Sequence, residues 1–212
     1  MMSRFLFGAS WILASFCMSC GGNPDSGEGD GLDSALVIPR MDLKTTNVLM
    51  STSGVRWVVF QTPMLDSSLV NITVEADLSG DTLSTDFGEV DPVLEIRLED
   101  FDKDGTQELY LVTRSVSPEE FGTILGIYPG EGKSVGLISY EGATPYYMKE
   151  GEVYEGYRGH DRFQFQKGVL INTFPVYRDG DPDSSPTGGQ RQVAYELVKS
   201  QTSMLLRPVK LK

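Results

Sequence analysis

Histidine and cysteine are nearly missing from this 212-residue chain, which has one histidine, His160, and two cysteines, Cys17 and Cys20. That scarcity leaves little room for a His-rich metal centre or a Cys–His nucleophile. Beyond residue 20 there is no cysteine, so no disulfide can staple the rest of the chain. Basic residues are outnumbered 18 to 30, giving a formal charge of −12. Such an excess argues against nucleic acid, whose phosphates would repel it, and suits a cationic protein partner or bound cations. Gly-x-Ser-x-Gly, His-Glu-x-x-His and the phosphate-binding loop are also absent. A hydrolase with dispersed carboxylates stays open, because 30 acids offer many pairs and sequence does not place them. What is present is an ordinary globular composition, 40 % hydrophobic and 23 % charged. A chain of this length can bury a sizeable core in one domain without staples.

Long apolar runs are limited to one, Phe5 to Phe16, preceded by Arg4. As a helix it would rise about 18 Å, too short for a hydrocarbon core of about 30 Å. It reads as a secretory signal, residues 1–19. Ser19-Cys20-Gly21-Gly22 resembles a bacterial lipoprotein cleavage site, with Cys20 as the lipidated residue. Cys17 is the poorer candidate, since bulky Phe16 precedes it. Gly21, rather than aspartate, after the cysteine resembles sorting to the outer membrane. Residues 20–34, with their run of glycines and acids and no base, form a flexible tether to the membrane. The expected location is extracytoplasmic, with the folded domain spanning 35–212.

From Ala35 onward the pattern is that of strands and turns. Val70, Ile72, Val74 and Ala76 alternate with polar residues, and Leu94, Ile96 and Leu98 alternate with Glu95 and Arg97. Further strands are predicted at 55–61, 108–114, 122–128, 134–140, 162–166, 168–174, 191–198 and 203–210. Turns fit at Ser79-Gly80-Asp81, Pro129 to Gly132, Lys167-Gly168 and Gly188-Gly189. The fold class is all-β: an antiparallel β-sandwich or partly open barrel. One short helical turn is predicted in a loop, where Ser117 caps, Pro118 opens and Glu120 sits three after the cap.

The sharpest chemical pattern runs from Asp100 to Glu108. Asp100, Asp102 and Asp104 at positions 1, 3 and 5, then Gly105 at 6, match the opening of a calcium loop. Thr106 would offer a carbonyl, and Glu108 stands at position 9. Position 12 is Leu111, so this is no EF-hand. The alternative is an Asp/Gly turn that solvates a strand junction. Asp179 to Asp183 is a second acidic turn, read as a solvated loop. His160 beside Asp161 fits a hydrogen-bonded structural histidine better than a general base, since no nucleophile accompanies it. The late aromatics, including Tyr140, Tyr157 and Tyr177, are read mostly as core.

Over residues 98–198 the chain resembles the periplasmic inhibitors of invertebrate-type lysozyme. The resemblance is carried by Leu98 to Leu109, Thr113-Arg114-Ser115, Gly156-Tyr157-Arg158-Gly159-His160-Asp161-Arg162-Phe163, Phe174 to Asp181, Pro186 to Arg191 and Tyr195 to Val198. It implies a β-sandwich outside the cytoplasm and a protein-binding loop, with no catalysis. The family's loop carries Ser-Gly-x-Tyr; the aligned residues here are Pro118-Glu119-Glu120-Phe121. Ser117, Pro118, Glu119, Glu120, Phe121 and Gly122 then form the partner-binding loop, with Arg158 and His160 supporting it. The expected partner is a cationic protein such as a lysozyme. The competing expectation is a calcium-stabilised structural or adhesion domain on the cell surface.

Overall fold

The computed structural model describes residues 45–166, 168–200 and 203–211. The signal, Cys20 and the tether lie outside these residues. Twelve strands are present and no helix among the described residues. They form three antiparallel meanders of four. The first is β1 (Thr45–Met50), β2 (Arg56–Pro63), β3 (Val70–Leu78) and β4 (Asp81–Val90), a sheet of its own. The second is β5 (Val93–Glu99), β6 (Glu108–Arg114), β7 (Gly122–Pro129) and β8 (Val135–Tyr140). The third is β9 (Arg162–Gln166), β10 (Val169–Pro175), β11 (Gln190–Lys199) and β12 (Met204–Val209). The second and third join into one eight-stranded sheet through a single parallel pairing, in which Met204 faces Ile138 and Leu206 faces Tyr140.

The arrangement is sandwich-like, and β6 is its shared wall. Its run Glu-Leu-Tyr-Leu-Val-Thr is buried throughout, the apolar Leu-Tyr-Leu-Val centre fitting a strand covered on both faces. Leu109 and Leu111 pack with Trp57, Val59, Ile72 and Val74 of the four-stranded sheet. Tyr110 and Val112 point the other way, into a second cluster with Tyr154, Leu170, Phe174 and Leu206. One strand therefore belongs to two cores, each buried aliphatic side chain contributing about 1.5–3 kcal/mol. The eight-stranded sheet is curled, and its end strands approach: Phe101, just after β5, stacks on Phe165 of β9 at 6.0 Å. Tyr154 and Tyr157, from the irregular stretch between β8 and β9, pack into the second cluster.

The predicted strands are all present, with two additions and two local differences. β1 and β4 carry no long apolar stripe because each is a sheet edge with much of its length exposed. β4 is reached through a two-residue hairpin at Ser79 and Gly80, both at positive φ, the conformation that matches strand twist. Leu94 does not share a face with Ile96 and Leu98. A register shift between Val93 and Glu95 turns it outward, 54 % exposed. Ser117 to Glu120 closes as a single β-turn, with the Glu120 N–H donating to the Ser117 carbonyl at 3.0 Å. Glu120 then enters the left-handed region (φ 48°), which stops helical continuation.

Candidate functional site

The connection from β6 to β7 carries the loop read as partner-binding, and it is held at several points. The Ser115 N–H donates to the Phe121 carbonyl at 2.8 Å, and the Phe121 N–H donates to Ser115 Oγ at 2.9 Å. Opposite lies the Arg158–Asp161 segment. Gly159 (φ 100°) lies so close that a Cβ there would stand 2.2 Å from the Glu119 carbonyl oxygen. His160, also at positive φ, donates its N–H to that oxygen at 2.5 Å. Two consecutive left-handed residues, one not glycine, mark a backbone that its surroundings hold in place.

Asp161 is the anchor. It is 3 % exposed, and its carboxylate accepts from the Gly122 N–H at 2.7 Å, from Tyr157 Oη at 2.5 Å and from Asn172 Nδ2 at 2.5 Å. Burial raises the Asp161 carboxyl above the usual carboxylate range, against these hydrogen bonds. Asn172 also donates to Tyr154 Oη at 3.2 Å; Tyr154 pairs with Tyr195, and Tyr195 with Tyr140 at 2.9 Å. A continuous polar chain thus runs from the loop's end into the core.

The charges around the loop are divided unequally. Glu120 turns inward to Arg162 at 2.6 Å, His160 Nδ1 at 3.5 Å and Arg114 at 3.6 Å. The Arg162 hydrogen bond, ahead of the other causes, holds the Glu120 carboxyl below its ordinary range. Glu119 points outward, exposed, and Phe121 is 44 % exposed with its ring 6.2 Å from that of Tyr157. Arg158 does not touch the loop through its guanidinium. It donates to the Asp181 carbonyl and to Asp183, both at 3.0 Å, and lies 4.8 Å over the Tyr177 ring. Between these elements opens a groove of about 1030 Å³, lined in part by Pro118, Glu119, Phe121, Tyr140 and Tyr157.

Neither the groove nor the Asp161–Asn172 network was legible in the sequence. Tyr140, Tyr157 and Tyr177 look like core aromatics, and only the tertiary structure sets them around a common opening. Asp181, in the second acidic turn, is structural: it accepts from the N–H groups of Arg178 and Thr187, which lowers its carboxyl pKa.

The Asp turn lies elsewhere, between β5 and β6. Asp100, Asp102, Asp104 and Glu108 each bring a carboxylate oxygen within 4.8 Å of the others. Asp100 accepts from the N–H groups of Asp104 and Gly105, and Asp104 from that of Thr106, which draws the carboxylates inward. Thr106 thus contributes its N–H to the turn's closure. Glu108 is 1 % exposed and accepts from the Phe101 N–H and Tyr110 Oη. Four carboxylates this close can hold a metal ion, and an all-oxygen set suits a hard cation. Lys199 answers part of the charge from within the chain, 3.3 Å from Asp102 and 3.2 Å from Asp104.

With this geometry in hand, no family model, curated protein or solved structure matches the chain. The fold defines it as an all-β, sandwich-like domain.

Burial pushes the Glu108 carboxyl up to about 7, and the neighbouring Asp102 and Asp100 add to the rise. In the unfolded chain a glutamate titrates near 4.3. A raised folded-state value favours the protonated form, so its stabilising effect is complete below about pH 4.3 and is lost as pH rises through about 7. In chelator, Glu108→Gln should remove this loss: the variant's gain over wild type grows from about 1 kcal/mol at pH 5 to about 2–3 kcal/mol above pH 7. Urea denaturation across that range checks it.

Proposed function

We propose that the chain is an extracytoplasmic lipoprotein binding module, anchored through Cys20, that grips a cationic protein of the lysozyme type with the 117–122 loop. The observation that supports this reading is the bracing of that loop. Its backbone is held from both sides, while Phe121 and Glu119 stay exposed. A contact loop whose backbone is fixed before binding avoids the cost of ordering that backbone on association. Aromatic residues, phenylalanine among them, are enriched at the cores of protein interfaces. Charge fits as well: the chain's formal −12 attracts a basic partner over long range. The resemblance to inhibitors of invertebrate-type lysozyme gives the partner class. Because Pro118 and Phe121 replace the family's serine and tyrosine, inhibition should be weaker or redirected.

Calorimetry with an invertebrate-type lysozyme tests the reading. Binding should weaken with salt as the screening length shortens to about 8 Å near physiological strength. Phe121→Ala should weaken it by about tenfold or more. Absence of binding to lysozymes of every type would remove the partner class.

A second reading, a calcium-stabilised surface or adhesion domain, is favoured by the four carboxylates within 4.8 Å of one another, one of them buried. Calcium would hold the β5–β6 junction and relieve the repulsion among these groups. Its test is thermal: millimolar calcium should raise the melting temperature, and Asp102→Ala should abolish the rise. An unchanged melting temperature leaves the turn as a Lys199-neutralised strand junction.

A further inference from the structure

The groove beside the 117–122 loop has a defined chemistry. Its volume, about 1030 Å³, exceeds what one side chain fills and is that of a ligand-sized cleft. Phe121, Tyr140, Tyr157 and Tyr177 present aromatic carbon to it, with Ala143 and Met148 adding an apolar wall. Met148 is 41 % exposed and Phe121 44 %, so this apolar surface is reachable from solvent.

Three of the charged groups near the opening are already taken up. Arg158 is held by Asp183 and the Asp181 carbonyl. Glu120 is surrounded by Arg162, His160 and Arg114. Asp183, though exposed, is paired with Arg158. Glu119 differs. It lines the groove, it is exposed, and its carboxylate has no ion-pair or hydrogen-bond partner among the described residues. Among the residues that line the groove, Arg158 and Asp183 offset each other, and Glu119 is left as one unpaired negative charge. The ring faces likewise favour a positive group, since an aromatic face attracts a cation. Arg158 already shows this in cis, lying 4.8 Å over Tyr177. An anionic ligand would meet Glu119 and the overall −12; a purely apolar one would leave Glu119 unanswered beside it.

We propose that this groove receives a short apolar segment of the protein partner bearing one arginine or lysine, its cationic head set against Glu119 and its stem and neighbours against the aromatic wall. The proposal rests on the binding-module reading and names what the partner brings. The loop and the groove then form one continuous contact, with Phe121 shared between them.

The test is an amide NMR titration of the full chain with acetyl-Leu-Arg-Leu-amide and with its twin carrying uncharged citrulline in place of arginine. The arginine peptide should give saturable shifts at the Phe121, Gly142, Ala143 and Thr144 amides, and the citrulline peptide should bind about two- to fivefold more weakly. Glu119→Gln, on an exposed side chain that makes no contact to lose, should bring the arginine peptide down to the citrulline level. Thr144→Trp, which fills the groove, should abolish the shifts of both. Equal affinity for the two peptides, or no saturable shift at these amides, overturns the proposal. So does chitotriose saturating the same amides at lower concentration than the arginine peptide, which would assign the groove to a saccharide. No lysozyme enters this experiment. Peptide binding without lysozyme binding would keep the groove and reject the partner class, and the reverse would keep the partner class and reject the groove.

Discussion

The Asp161 carboxylate ties together three parts of the molecule. It accepts from the start of β7, from Asn172 in β10, and from Tyr157 in the stretch between β8 and β9. Taking a carboxylate out of water costs several kcal/mol unless its lone pairs are satisfied. Here three donors satisfy them, and each donor belongs to a different segment. Removing the acceptor would strand the Gly122 N–H, the Tyr157 hydroxyl and one Asn172 amide proton in or near the core, at about 1–3 kcal/mol for each unsatisfied group. The shape of the 117–122 loop follows. Gly122 is pinned by Asp161, and the two residues before Asp161 use left-handed backbone to reach the Glu119 carbonyl.

This bracing sets what the loop offers. Glu120, which the sequence suggested as a charge for a basic partner, is instead part of the scaffold, neutralised by two arginines and neighboured by His160. Glu119 and Phe121 are the outward pair. The acidic turn at Asp100–Glu108 is a separate structure with its own logic. There the repulsion among carboxylates is relieved by backbone N–H groups and by Lys199, with room for a hard cation.

Much of the fold was legible because strand signals are local. β3 alternates cleanly, and β6 reads as a strand, which the structure buries almost throughout. β1 and β4 were not legible, because an edge strand need bury only part of one face, and Thr, Asn, Ser and Asp suffice on the remainder. The outward turn of Leu94 depends on a bulge, which alternation cannot signal. Of the site, the Asp turn was legible because its carboxylates lie within nine residues of one another. The Asp161–Asn172–Tyr154–Tyr195–Tyr140 chain was not, since its members come from four separate segments and meet only when the sheet curls. His160 drew notice in the sequence as the lone histidine, while its neighbour Asp161 carries the structural role.

The central claim is that Asp161 fixes the loop before any partner arrives. Native-state hydrogen exchange at the Gly122 amide, compared between wild type, Asp161→Ala and Asp161→Asn, measures it directly. The account predicts strong protection in wild type, loss of protection by about tenfold or more at Gly122 and Phe121 in Asp161→Ala while the Val74 amide in β3 is unchanged, and partial recovery in Asp161→Asn, whose carbonyl still accepts. Equal protection of Gly122 in wild type and Asp161→Ala would contradict it.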